Sequence, residues 1–166
     1  MTLVTGDEIA VRVTAYDGMG LPGMLRAARK AYGNAIREAF ADAGFDDVPR
    51  NGAYVLARVH EDDAPIRRLS RELGISKQAV SQLIDIMVMR GYLERTADAE
   101  DRRRTVLHLT PRGHAAATVA WDAATAVDAE LFQRLSPKGV SALRTGLTAL
   151  CEIAAESETS LVDHHH

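Results

Sequence analysis

Cysteine is almost missing from this sequence: Cys151 is the only one in 166 residues. A single thiol closes no internal disulfide and builds no cysteine-based metal cluster, so neither can staple the fold. Long apolar runs are missing too. No stretch approaches the roughly 20 apolar residues of a membrane span, and the start of the chain lacks the basic-then-apolar layout of a signal peptide, so a cytoplasmic location is the expectation. Nor is there a Gly-rich phosphate loop, a Gly-x-Ser-x-Gly elbow or a His-Glu-x-x-His helix. The chain is not expected to be an enzyme or to carry a cofactor or metal.

What is present is ordinary for a globular protein, with 46% apolar and 26% charged residues. The length suits one domain, or a small domain with a helical extension. Charge is unevenly distributed. The formal net charge is -3, yet residues 65–112 carry +4 and the remainder -7. Fields between exposed charges act over about 8–10 Å in physiological salt, so a local basic footprint serves an anionic partner even on an acidic protein. The alternative is a solvated charged face.

Residues 1–18 mix polar and β-branched types and read as a loose arm. From Leu21 the spacing turns helical through Leu25, Ala28, Ala31, Tyr32, Ala35, Ile36, Ala39 and Phe40, with Gly44 as its stop. Pro49 is expected to open a second helix through Tyr54, Val55, Leu56 and Val59, ended by the acidic turn Glu61-Asp62-Asp63. Two helices follow around a tight turn: Ile66 to Leu73, then Gly74-Ile75, then Ser76 to Arg90. Gly74 suits a left-handed C-cap and Ser76 an N-cap. Tyr92–Thr96 and Thr105–Thr110 read as strands of a hairpin with a charged tip. Thr110-Pro111 restarts a helix to about Leu135, and Pro137 starts another to about Glu156. The apolar surface of Ala115, Val119, Trp121, Ala126, Leu131 and Leu135 calls for a partner, either the first long helix or a second copy of the chain.

Helix, glycine-containing turn, helix and hairpin together make a winged helix-turn-helix. At about 100° per residue, Lys77, Gln78, Ser81, Gln82, Asp85 and Met89 share an arc of roughly 140°, opposite Val80, Leu83, Ile84 and Met87. The first face starts with Ser76, Lys77, Gln78, Ser81 and Gln82. Gln pairs bidentately with adenine, Lys and Ser reach guanine or phosphate, and a helix N-terminus favours phosphate. The alternative is an exposed helix with a Ser cap. At the hairpin tip, consecutive Arg102, Arg103 and Arg104 repel one another unless an anion is near, and an arginine there suits the narrow minor groove. Asp98 and Asp101 would brace them by charge-assisted hydrogen bonds. A solvated charge run is the other reading.

The run Arg68-Leu69-Ser70-Arg71-Glu72-Leu73-Gly74-Ile75-Ser76-Lys77-Gln78-Ala79-Val80-Ser81-Gln82-Leu83-Ile84-Asp85, then Arg90-Gly91-Tyr92-Leu93-Glu94-Arg95, resembles the MarR family of bacterial regulators. So do the wing Asp98 to Arg104 and the closing Leu109-Thr110-Pro111-Arg112-Gly113. The resemblance spans about residues 66–113. It implies a mainly α fold with a small β-hairpin wing, the winged helix-turn-helix being flanked by N- and C-terminal dimerisation helices. The divisions expected are an arm (1–18), an N-terminal dimerisation helix (19–48), the DNA-binding domain (49–112), C-terminal dimerisation helices (113–157) and a tail (158–166) whose closing His164, His165 and His166 look like an added tag. The resemblance further implies a homodimer on a pseudo-palindromic operator in double-stranded DNA, repressing nearby genes until a small molecule binds. Asp98 and Arg102 would be the bracing aspartate and minor-groove arginine; Arg103 and Arg104 match the wing less specifically.

Tyr32, Tyr54, Arg58 and Trp121 are candidates to line a pocket for a small aromatic or anionic effector, with core or rim packing as the alternative. Cys151, on an apolar stretch with Leu147, Leu150 and Ile153, is expected to be a buried structural thiol. His60, His108 and His114 are isolated in sequence and read as ordinary packing or surface histidines. A protein-interaction scaffold, its arginines meeting acidic protein surface, is the rival to DNA binding.

Overall fold

The computed structural model describes Tyr16 and residues 18–61, 65–97 and 105–163. Six helices and one hairpin are described: α1 (Leu21–Asp42), α2 (Gly52–Glu61), α3 (Ile66–Leu73), α4 (Lys77–Met89), β1 (Leu93–Ala97), β2 (Thr105–Leu109), α5 (Pro111–Gln133) and α6 (Pro137–Asp163). The strands are antiparallel, running in register from Leu93 opposite Leu109 to Ala97 opposite Thr105. Mainly α with one hairpin is the architecture expected. The chain divides into two units at Ala124–Thr125. None of the described helices is long and apolar enough to cross a membrane.

The helix boundaries follow local chemistry. Gly44 (φ 75°), Gly74 (φ 65°) and Gly91 (φ 73°) follow α1, α3 and α4 in the left-handed conformation that glycine adopts without a Cβ penalty. Pro49 was expected to open α2, but the helix starts at Gly52. Pro49 instead begins a tight turn in which the Gly52 amide bonds to its carbonyl at 2.7 Å. Asn51 takes φ 67° in this turn, a conformation its short polar side chain tolerates. At the other end, α5 stops at Gln133 in a tight turn, and α6 extends past Glu156 to Asp163 because no Gly or Pro interrupts it. Thr110 and Ser136 cap α5 and α6, their hydroxyls accepting from the Gly113 and Gly139 amides at 3.0 and 3.1 Å.

The first unit holds the core. Phe40 from α1, Val55 and Leu56 from α2, Leu69 from α3, the α4 face Val80, Leu83, Ile84 and Met87, then Tyr92, Leu93, Leu109, Ala116 and Ala120 are buried. Deleting a large aliphatic side chain from such a cluster costs about 2–5 kcal/mol. Gly113 lets α5 approach the hairpin: a Cβ there would sit 2.0 Å from the Tyr92 carbonyl oxygen, an unmovable backbone atom.

One polar junction ties this core to the chain that wraps it. The Arg112 guanidinium donates to Asp47 Oδ1 at 2.9 Å, to the Arg90 carbonyl at 3.1 Å and to the Tyr92 hydroxyl at 3.1 Å, and it lies 4.5 Å over the Tyr92 ring. The Tyr92 hydroxyl in turn donates to Asp47 Oδ1, and Arg90 donates to the Asp47 carbonyl. The Tyr92 bond, helped by Arg112 and Arg90, holds the Asp47 carboxyl below its usual range. Burial first, and then the Asp47 carboxylate, push the Tyr92 phenol up.

In the second unit, Leu143, Leu147 and Leu150 of α6 are about two-fifths exposed, at 38%, 40% and 41%. Cys151, expected to be buried, is exposed. The apolar stretch around it packs into no core within the chain, since α6 has no buried residue among those described.

The Asp47 carboxylate is stabilising when charged, so its contribution is present above its ordinary value of 3.8 and disappears as pH falls through the lowered folded value. Asp47→Asn is expected to cost about 1 kcal/mol at neutral pH, the group being partly exposed. Chemical denaturation at pH 7 and pH 3 checks this, the gap between the two proteins narrowing in acid.

Candidate nucleic-acid interface

The turn before α4 is fixed by backbone and side chain together. Gly74 donates to the Arg71 carbonyl at 3.1 Å, Ile75 to the Ser70 carbonyl at 3.1 Å, and Ser70 Oγ to the Ile75 carbonyl at 2.6 Å. Ser76 then caps α4, its Oγ accepting from the Ala79 amide at 3.1 Å. With Val80, Leu83, Ile84 and Met87 buried, the opposite face of α4 must point outward. Lys77, Gln78 and Gln82 are exposed there, with Ser81 half-buried. The face ends in an open depression lined by Gln82, Asp85, Ile86 and Met89, the last 78% exposed.

Asp85 belongs to the same face but is not free to repel a phosphate: Arg95 of β1 bonds its carboxylate at 2.7 Å. That pair also ties the hairpin to α4, a role that the sequence does not announce for Arg95. The wing residues Asp98, Arg102, Arg103 and Arg104 lie outside the described residues, as does the expected bracing by Asp101.

Of the four effector candidates, Tyr54 and Arg58 share a partner. The Tyr54 hydroxyl donates to Glu72 Oε2 at 2.9 Å, Arg68 Nε donates to Glu72 Oε1 at 3.0 Å, and Arg58 Nε stands 3.4 Å from Glu72 Oε2. Arg58 also pairs with Glu61 through Nη1, while its Nε is buried without a hydrogen bond. Burial, then Glu72, push the Tyr54 phenol up to about 12. Tyr32 is half-buried on α1, and Trp121 on α5 is 67% exposed.

His60 and His114, isolated in sequence, meet in space with ring centroids 5.7 Å apart. Among the described residues no group of three or more His, Cys, Asp or Glu side chains converges as a metal site.

A model of the MarR family matches residues 46–104, the segment from the Asp47 junction to the wing. Over that segment the winged helix is similar to the MarR family. Domains of this family are DNA-binding transcription regulators rather than enzymes. The fold is similar to that of MarR itself, whose crystal structure is 19% identical with a TM-score of 0.69, covering 86% of this chain and 96% of that one. CouR from Rhodococcus jostii RHA1, solved bound to p-coumaroyl-CoA, is 21% identical with a TM-score of 0.64, covering 80% of this chain and 92% of its own. BpsR of Bordetella bronchiseptica, whose DNA binding is regulated by 6-hydroxynicotinic acid, is 20% identical with a TM-score of 0.61, covering 80% of this chain and 94% of its own. No curated protein matches by sequence.

The neutral Tyr54 phenol is the stabilised form, so its contribution is complete below pH 10 and fades as pH rises through about 12. Absorbance titration of ionising phenols is expected to lose its late component in Tyr54→Phe, and in Glu72→Gln to see it move part of the way down.

Proposed function

We propose that the protein is a homodimeric, operator-binding repressor that inserts α4 into the major groove. The observation that carries this reading is the division of α4 into a buried apolar face and an exposed face of Lys77, Gln78 and Gln82 behind a capped N-terminus. Gln78 and Gln82 read base edges, Lys77 and the helix N-terminus hold phosphates, and Ser81 stands at the edge of the contact. Ser76 contributes chiefly by capping, since its hydroxyl is already committed to Ala79. Arg102, braced by Asp98, enters the adjacent minor groove, and Arg103 and Arg104 add phosphate contacts.

Binding of the full chain to duplex DNA from its own upstream region, against a scrambled duplex over a salt series, tests the reading. Specific binding should weaken steeply with salt, because phosphate contacts release counterions. Gln78→Ala should flatten base preference by about 1–3 kcal/mol at one position, and Lys77→Ala should lower the salt slope by about one without changing preference. Arg102→Ala should weaken binding at least tenfold while leaving the fold intact. Retention of sequence preference by Gln78→Ala would remove it from base readout, and absence of DNA binding at low salt would point to the protein-interaction scaffold.

Two copies are joined through the faces that the chain leaves exposed: Met19, Leu21, Met24 and Leu25 around the start of α1, and Leu143, Leu147 and Leu150 on α6. Exposed apolar surface on this scale is characteristic of an interface. The pair Leu147→Glu and Leu150→Glu is expected to give a monomer by light scattering at micromolar concentration and to lose operator affinity; an unchanged dimer would place the interface elsewhere.

A small aromatic or anionic effector is read by Arg58 and Tyr54. The support is that the two side chains lie together at Glu72, a guanidinium beside a phenol. The repressor works in the cytoplasm, where its operator lies.

A further inference from the structure

The first half of α1 carries its charge in a costly arrangement. Residues 18–37 hold the cations Arg26, Arg29, Lys30 and Arg37 and no acid. Arg26, Arg29 and Lys30 stand three and four residues apart and share an arc of about 100° on the helix. Like charges at this spacing repel one another, and α1 has no acidic residue in its first turn to offset them. All three side chains are exposed, and none has an ion-pair partner among the described residues. Solvation gives no reason for such a placement, whereas an anion brought to it does.

α5 is the complement. Residues 113–133 hold Asp122, Asp128 and Glu130 and no Lys or Arg. Ala116 and Ala120 turn inward, while Trp121 and Asp122 lie on the exposed side of the helix, Trp121 at 67%. Asp122, like the α1 cations, has no ion-pair partner among the described residues. Tryptophan offers a guanidinium its best aromatic face, and Trp and Arg are the residues that most often anchor interfaces. One chain thus presents both halves of a complementary pair and does not join them to each other. A two-fold interface needs that self-complementarity, since each patch of one copy meets the other patch of its partner. We propose that Arg26, Arg29 and Lys30 of each copy dock on Trp121 and Asp122 of a second copy, one cation over the indole and the others at the carboxylate, twice in the dimer. This contact rests on the dimer reading and deepens it: Met24 and Leu25 beside it supply apolar area, and the charge pattern selects another copy of this chain over other partners.

Two full-length variants test the contact, one with Arg26→Glu, Arg29→Glu and Lys30→Glu, the other with Asp122→Lys. In sedimentation each alone is expected to dimerise about tenfold more weakly, because like charges then face each other, and an equimolar mixture should regain a dimer built from one copy of each. Trp121 is the only tryptophan in the chain, so the unsubstituted protein supplies a readout that no substitution disturbs. Its emission should move to longer wavelength as dilution separates the copies, and added salt should shift that transition to higher protein concentration. A mixture without mixed dimers, or an indole emission unchanged across dissociation, would overturn the contact and leave the dimer itself standing. Weaker operator binding by the α1 variant with an unweakened dimer would give the cations to phosphate and overturn it as well. An unsubstituted chain that is monomeric throughout would remove the dimer reading, and this contact with it.

Discussion

The contact on which the DNA-binding lobe depends is the Arg112–Asp47 ion pair laid over the Tyr92 ring. It joins the loop after α1, the end of α4, the entry to β1 and the first turn of α5, four points that no periodic pattern in the sequence connects. Each member restrains the others. Arg112 can reach the Arg90 carbonyl only because Gly113 lets α5 come down on the Tyr92 backbone. Tyr92 can bury its ring because its hydroxyl finds Asp47 and Arg112, which removes the cost of an unsatisfied buried phenol. The opposite shifts of Asp47 and Tyr92 describe one proton held on the phenol, beside a carboxylate kept charged first by that hydrogen bond and then by the Arg112 guanidinium.

This junction sets the direction of α4 from its C-terminal side, and the Gly74–Ser76 turn sets it from the other. Between those anchors the helix has one rotation that buries Val80, Leu83, Ile84 and Met87, so the outward direction of Lys77, Gln78 and Gln82 follows from packing. The local surplus of +4 over residues 65–112 is reshaped in the same process. Arg68 turns to Glu72, Arg95 to Asp85 and Arg112 to a carboxylate outside the segment. The cations spent this way build the lobe, and Lys77 stays exposed at the head of the outward face.

Much of this was legible in the sequence, for a physical reason. The α3–turn–α4 unit is governed by near neighbours: a glycine that must be left-handed, a serine that caps, and an apolar face repeating at helical spacing. Those signals gave the α3 limits and the buried face of α4 residue by residue. What stayed hidden depends on side chains meeting across long stretches of chain. Asp47 with Arg112, Tyr54 with Glu72 and His60 with His114 carry no local mark, because a lone Asp, Glu or His reads as solvated surface until the fold supplies its partner. Pro49 misled for a related reason: its fixed φ suits the first residue of a helix and of a tight turn equally, and Asn51 decided for the turn. Cys151 was assigned to a core by its apolar neighbours, an inference that holds only where the helix meets a second layer.

That layer is the remaining constraint. α6 is 27 residues long and has no buried residue among those described, while isolated helices in water are marginally stable even with good composition. Its leucines at 143, 147 and 150 fall at three- and four-residue spacing, the pattern of a face meant for another surface. On the dimer reading, the partner copy supplies that surface, and pairing the chains pairs the two DNA-reading lobes. Dimerisation and operator binding then share one free energy. The first lobe to touch DNA brings the second to high effective concentration, so a face with few reading side chains on each copy suffices for a specific site.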